Sequence, residues 1–321
     1  MTLRSLVVGL GQIGMEYDLK LDPDAYVMTH ARAFQQHSDF QLVGGVDSNS
    51  DRCKIFKKHY KCPAYTELKI ALQETRPDIV AIALPTKLHS ETLHTILEIT
   101  NPTVILCEKP LSYDLVEAKK MVELCIKRNC QLYVNFIRRS DPGIMELKYR
   151  LEKKLIAGPL KGVVWYSKGL FHNGSHLFNL LQFLLGDMLE LKLINCGRLW
   201  DNHDPEPDIQ VTYRHGTVVF LAAKEEKFSY ATVELLADNG RVRMENGGEI
   251  ITWQPAIEDP VIEGYTILSQ DSEHIQSDLP RYQWNVVEQL SRSMKGMTAQ
   301  ICTGVEALKT LESLEELREK L

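Results

Sequence analysis

SLVVGLGQIG, residues 5–14, is a short apolar run that passes without a break into glycines at positions 9, 11 and 14. An unbroken run of this kind reads as a β-strand covered on both faces. Each glycine then has a physical task. Gly9 permits the tight turn after the strand, Gly11 lets a pyrophosphate approach the backbone, and Gly14 allows close packing of helix on sheet. Gln12 and Ile13 complete the turn, where the unpaired N–H groups at a helix start face the phosphates. A glycine motif by itself is weak, so its surroundings decide the reading.

Those surroundings alternate through the first 137 residues. Apolar runs recur at FQLVGGVD (40–47), DIVAIALP (78–85), TVILCEKP (103–110) and QLYVNFI (131–137). Between them lie amphipathic stretches with Ser50, Thr66, Ser90 and Ser112 or Asp114 as N-caps. Strand and helix in alternation predict a doubly wound parallel sheet that binds ligands at the carboxyl ends of its strands. The second strand ends in Asp47, where a carboxylate accepts from the adenosine ribose hydroxyls and favours NAD. Arg52, five residues on, offers a contact for a 2′-phosphate, so NADP stays open. Asp47 lies 33 residues beyond Gly14, against ~20 in the simple fingerprint. The surplus is MEYDLKLDPDAYVM (15–28), whose Pro23 cannot sit inside a helix. The sequence therefore predicts an inserted loop, over the ligand cleft or on the outer surface, with the main helix starting near Thr29.

Composition limits the partners. Of 321 residues, 44% are hydrophobic and 25% charged, the balance of a globular chain, and the formal net charge of −6 offers no basic field for nucleic acid. The seven cysteines form no CxxC pair and read as reduced thiols. The first apolar run is too short for a signal peptide, and no segment approaches a membrane span. A cytoplasmic protein is expected.

The fifth strand ends in Cys107-Glu108-Lys109-Pro110. A lysine there points into the crevice above the sheet, where an ammonium can favour the ionised form of a substrate hydroxyl; a cis peptide before Pro110 is open to it. GLGQIG at 9–14, Asp47, Leu84-Pro85-Thr86 with His89, and Glu108-Lys109-Pro110 together resemble the Gfo/Idh/MocA oxidoreductases. The resemblance implies an N-terminal Rossmann domain (1–137) and a C-terminal substrate-binding and oligomerisation domain (138–321) with a large open sheet. It also implies hydride transfer between NAD(P) and a hydroxyl-bearing carbon of a sugar or nucleotide-sugar, as in surface-polysaccharide synthesis. Lys109 maps onto the family's catalytic lysine. Leu84, Pro85, Thr86, His89 and Glu108 map onto the cofactor-lining segments.

After Arg139 the pattern changes. Strands follow one another without helices between them, around turns at His215-Gly216, Asn239-Gly240 and Asn246-Gly247, which signals hairpins and a mostly antiparallel sheet. Such an open sheet leaves a face for a second subunit, and a homodimer or homotetramer is expected. Before the hairpins comes FHNGSHLFNLLQFLLGD (171–187), which reads as a helix carrying His172 and His176 one turn apart. His-x-x-x-His matches a zinc spacing, but Asn173 replaces the glutamate of HExxH and no third ligand is evident, so no metal is expected. Packing and proton transfer are the other readings. The resemblance assigns His176 as general acid/base, with His172 in a position the family fills with an acid or amide. His172, Asn173 and Ser175 are then candidates for substrate contact. The competing functional class is a non-catalytic dinucleotide sensor on the same fold.

Overall fold

The computed structural model describes residues 2–321 and divides the chain into two compact units. One comprises Met1–Ser140 and Pro280–Leu311; the other comprises Asp141–Leu279 and Glu312–Leu321. The chain first crosses between the units after Ser140. The chain then crosses again after Leu279 and after Leu311, so a late helix joins the first unit.

The first unit holds strands β1 (Leu3–Val8), β2 (Phe40–Val46), β3 (Ala64–Tyr65), β4 (Ile79–Ile82), β5 (Val104–Cys107) and β6 (Gln131–Val134). They form one parallel sheet in the order β3-β2-β1-β4-β5-β6, that of doubly wound dinucleotide folds. Alternate side chains feed separate cores on its two faces. Leu6, Val8, Val80, Ile82 and Ile105 enter one, and Val7, Ile79, Ala81, Val104 and Leu106 the other. Burial on both sides is why these strands read as continuous apolar runs. Helices α1 (His30–Gln36), α2 (Ser50–Tyr60), α3 (Leu68–Thr75), α4 (His89–Ile99) and α5 (Leu115–Lys127) link the strands.

The inserted segment behaves as its composition requires. A π-helical turn spans only Gln12–Glu16, and α1 starts after Thr29, whose hydroxyl caps Arg32 N–H. Between them a loop folds around Asp18, which has no solvent exposure. Its carboxylate accepts from Met28 N at 2.7 Å and Thr29 N at 3.0 Å. Arg32 gathers the carbonyls of Asp18, Leu21 and Tyr26. An ordered loop must satisfy its backbone oxygens, and one guanidinium does this for three. Val27 bonds the start of the late helix, through Pro280 O and Gln283 N.

In the second unit α6 (Pro142–Glu152) precedes β7 (Leu160–Tyr166) and α7 (Ser175–Leu185). Strands β8 (Met188–Trp200), β9 (Asp204–Tyr213), β10 (Gly216–Ala222), β11 (Thr232–Ala237), β12 (Gly240–Glu245), β13 (Ile250–Glu258), β14 (Thr266–Leu268) and β15 (Glu273–Ile275) follow. With β7 they form a nine-stranded sheet, ordered β14-β13-β12-β11-β7-β10-β9-β8, with β15 beside β13. Its pairings are antiparallel except one: β10 runs parallel to β7 in the middle of the sheet. Leu177, Leu180, Leu181 and Leu184 of α7 pack on its inner face. The chain ends with α8 (Tyr282–Met294), whose Val286, Val287 and Leu290 join the first unit's core, and α9 (Gly304–Arg318).

Candidate active site

In the first unit the glycine turn has the geometry expected of a phosphate cradle. Gly9 has φ +99°, and a Cβ there would lie 2.4 Å from Ala83 O; a Cβ on Gly14 would lie 1.9 Å from Gly9 O. Both contacts admit glycine alone. At Gly11 the nearest atoms to such a Cβ belong to the Arg52 guanidinium, 3.8 Å away, which leaves room for a ligand. The N–H groups of Gly11, Gln12, Ile13 and Gly14 have no backbone acceptor among the described residues. Four orphan donors beside an open glycine fit a dinucleotide pyrophosphate.

Asp47 directly follows β2 and is mostly buried, its oxygens accepting from Leu10 N at 2.9 Å and Asn49 N at 2.8 Å. Each carboxylate oxygen retains a lone pair for a ribose hydroxyl. Arg52 pairs with Glu16 at 3.0 Å and lies 3.6 Å from Asp47. Thr86 begins the short helical turn after Leu84 and Pro85. His89 is fully buried, with Nε2 on Leu84 O at 2.8 Å and Nδ1 on Leu111 O at 3.2 Å. Its imidazole stitches the turn after β4 to the turn after β5.

The Lys109–Pro110 peptide is cis. Glu108, just before it, is tied into a ring that the sequence did not reveal. His30 Nε2 donates to Glu108 Oε1 at 2.8 Å, and Asn135 Nδ2 donates to the same oxygen at 2.6 Å. Asn135 Nδ2 also donates to Gln283 Oε1 at 3.0 Å, and Gln283 Nε2 donates to His30 Nδ1 at 2.9 Å. Glu108 and Asn135 are adjacent because each directly follows a neighbouring parallel strand, with Cys107 opposite Val134 in register. Burial alone would push the Glu108 carboxyl up. The hydrogen bond from His30, the bond from Asn135 and the Lys109 ammonium more than offset this, and hold it below the ordinary carboxylate range.

The histidine segment lies in the second unit. It departs from the single helix expected over 171–187: Gly169–Gly174 form a π-helical turn, and α7 begins at Ser175. The turn is wrapped on a carboxylate. Asp204 accepts from Phe171 N at 3.0 Å and His172 N at 2.8 Å, while Glu206 accepts from Gly169 N at 3.1 Å. A Cβ on Gly169 would lie 2.1 Å from Asp204 Oδ2, so glycine is what lets the carboxylate in. Burial pushes the Asp204 carboxyl up, against the pull of the backbone N–H groups of Phe171, His172 and Leu170. Arg198 closes on Glu206 at 2.8 Å.

His172 is exposed and stacks on Trp200, ring centroids 5.2 Å apart and 21° from parallel. His176 sits half-buried in the first turn of α7. Asn173 Nδ2 donates to Ser167 O at 3.0 Å. Ser175 is buried, and its hydroxyl donates to Phe171 O at 2.7 Å, so it braces the turn. Among the described residues no group of three or more His, Cys, Asp or Glu side chains is arranged to hold a metal ion.

A parallel sheet in this order, with a glycine cradle and a carboxylate after β2, defines a dinucleotide-binding Rossmann domain. Residues 3–136 match the Gfo/Idh/MocA family model, described as "Oxidoreductase family, NAD-binding Rossmann fold". Among curated relatives, a myo-inositol 2-dehydrogenase of Thermotoga maritima is 25% identical over 59% of this chain and 56% of its own length. A UDP-N-acetylglucosamine 3-dehydrogenase of Acidithiobacillus ferrooxidans is 26% identical over 46% of this chain and 41% of its own. The chain thus spans little more than half the length of the first curated relatives it matches. Among solved structures, the WlbA dehydrogenase of Bordetella pertussis in complex with NADH and UDP-GlcNAcA covers 99% of this chain and 95% of its own, with TM-score 0.76 and 16% identity. That likeness shows the two-unit fold.

Proposed function

We propose that this chain is an NAD-dependent oxidoreductase that moves a hydride between nicotinamide and a hydroxyl-bearing carbon of a sugar or nucleotide-sugar. The observation that carries the reading is Lys109, placed just past the carboxyl end of β5 in an NAD-binding Rossmann fold of an oxidoreductase family. When bound, the nicotinamide supplies the hydride acceptor or donor. The chain's own residues do the rest. The amides of Gly11–Gly14 hold the pyrophosphate, Asp47 the ribose, and the turn at Leu84–Thr86 borders the ring. The Lys109 ammonium favours the ionised form of the substrate hydroxyl, and His176 exchanges its proton. His172 and Asn173 contact substrate; Ser175 supports them from below. Relatives named as inositol and UDP-sugar dehydrogenases support the substrate class.

We place the protein in the cytoplasm, in keeping with its seven free cysteines, five of them buried, and with no described helix long and apolar enough to cross a membrane. Val163, Trp165 and Leu236 are exposed on the nine-stranded sheet, which supports pairing of that face with a second copy. Light scattering at the monomer mass would remove that expectation.

The test is spectroscopic. Purified protein with NAD and a panel of polyols, sugars and nucleotide-sugars should show a substrate-dependent rise in NADH absorbance. Lys109→Ala and His176→Ala should each lower turnover ~10²-fold or more while NADH binding survives. Full activity in both variants would overturn the assignment, and NADH binding with no turnover on any substrate would favour the sensor.

A further inference from the structure

The ring around Glu108 asks for a reason beyond tethering. Its members come from the start of α1, the turns after β5 and β6, and the start of α8, and His30, Asn135 and Gln283 are at most 1% exposed. A neutral glutamine at position 108 would tie the same elements together without the cost of burying a charge. A carboxylate accepts only, and here both groups on Oε1 are donors. Gln283 settles their orientation. Its amide oxygen takes an Asn135 proton, and its amide nitrogen, by donating to His30 Nδ1, leaves the imidazole proton on Nε2, facing Glu108.

We propose that His30, Asn135 and Gln283 are positioning residues, whose ring fixes the Glu108 carboxylate and, through it, the Lys109 ammonium one residue on. The inference rests on the reading of Lys109 as the group that meets the substrate hydroxyl. The titratable groups facing Glu108 are His30 from α1, Lys109 and Cys107 beside it in the chain, and Tyr282 at the start of α8. Charge at Glu108 keeps the lysine protonated, and the ring keeps that charge in place. Without Gln283, His30 is free to carry its proton on Nδ1 and to turn a lone pair toward the carboxylate.

The test is an NMR titration of the full chain, labelled with ¹³C at glutamate carboxyls and lysine ε-carbons, with E108Q and K109A assigning the two signals. Wild-type Glu108 should stay ionised below the ordinary glutamate range. Its midpoint should rise by about one pH unit or more, a tenfold gain in proton affinity, in H30A and in N135A. In Q283L it should rise less, and H30Q, which keeps a donor, should recover part of the loss. The Lys109 midpoint should fall by about half a unit or more in E108Q. An unmoved Glu108 signal in N135A and in whichever His30 variants fold, or an unmoved Lys109 signal in E108Q, would overturn the proposal. NADH binding, read by fluorescence on the same samples, separates the two ideas. Wild-type protein that fails to bind NADH removes the oxidoreductase reading and leaves the titrations to judge the ring.

Discussion

Two carboxylates lie beneath the segments that carry the candidate catalytic residues, and they are held in opposite ways. Glu108 is gripped by side chains from distant parts of the chain, with a lysine beside it, and its acidity is strengthened. Asp204 is gripped by consecutive backbone amides of one local turn, and burial weakens its acidity. At Glu108 the side-chain donors and the neighbouring cation outweigh burial; at Asp204 burial outweighs the backbone N–H groups. The first arrangement suits a site where charge must persist. The second suits a scaffold, in which the acid shapes a loop.

The largest expected difference concerns the glycines of the two regions. Gly14→Ala should abolish NADH binding, because the new methyl would sit 1.9 Å from a backbone oxygen. Gly174→Ala meets the Leu170 and Tyr166 side chains at 3.2 and 3.4 Å and the Gly169 carbonyl oxygen at an ordinary 3.5 Å, and should shift the melting temperature by about 3 °C or less. Fluorescence titration and thermal melts check the pair. Next in size, Asp204→Ala should cost about 3 kcal/mol in urea unfolding, since it strips acceptors from the amides of residues 170–172.

A smaller effect tests the contrast directly. Glu108 has a lowered pKa, so its stabilisation is complete above the ordinary value of 4.5 and is lost as pH falls through the folded value. Asp204 has a raised pKa, so its contribution is complete below 3.8 and is lost as pH rises through the folded value. Relative to wild type, E108Q and D204N should therefore show stability–pH slopes of opposite sign, each about 1 kcal/mol in span. Parallel slopes in urea melts between pH 3 and pH 7 would erase the distinction. Smallest of all, Glu16→Ala releases Arg52 from a half-exposed ion pair and should raise the preference for NADPH over NADH by about fivefold at most.

Most of the first unit was legible in the sequence because its signals are local. The glycine turn, the alternation of apolar runs, and Pro23 with the Thr29 cap each act within a few residues. The hairpin turns at Asn239-Gly240 and Asn246-Gly247 were legible for the same reason. The start of β9 was not. Asp204-Pro-Glu-Pro reads as loop, yet it is strand, because residues 204–208 lie beyond the part of β9 that pairs with β10 and Pro205 and Pro207 owe no hydrogen bond on that side. That concealed Asp204 and Glu206, whose two-residue spacing would have placed both on one face. The parallel pairing of β7 with β10 also lies outside what hairpin signals can report. The ring residues were hidden by separation: His30 and Gln283 meet across 253 positions, and neither sits in a motif.

That last span bears on biosynthesis. Gln283 and the rest of α8 reach the first unit only when most of the polypeptide has left the ribosome. A nascent Rossmann half lacks Gln283, and its ring around Glu108 cannot close until α8 arrives.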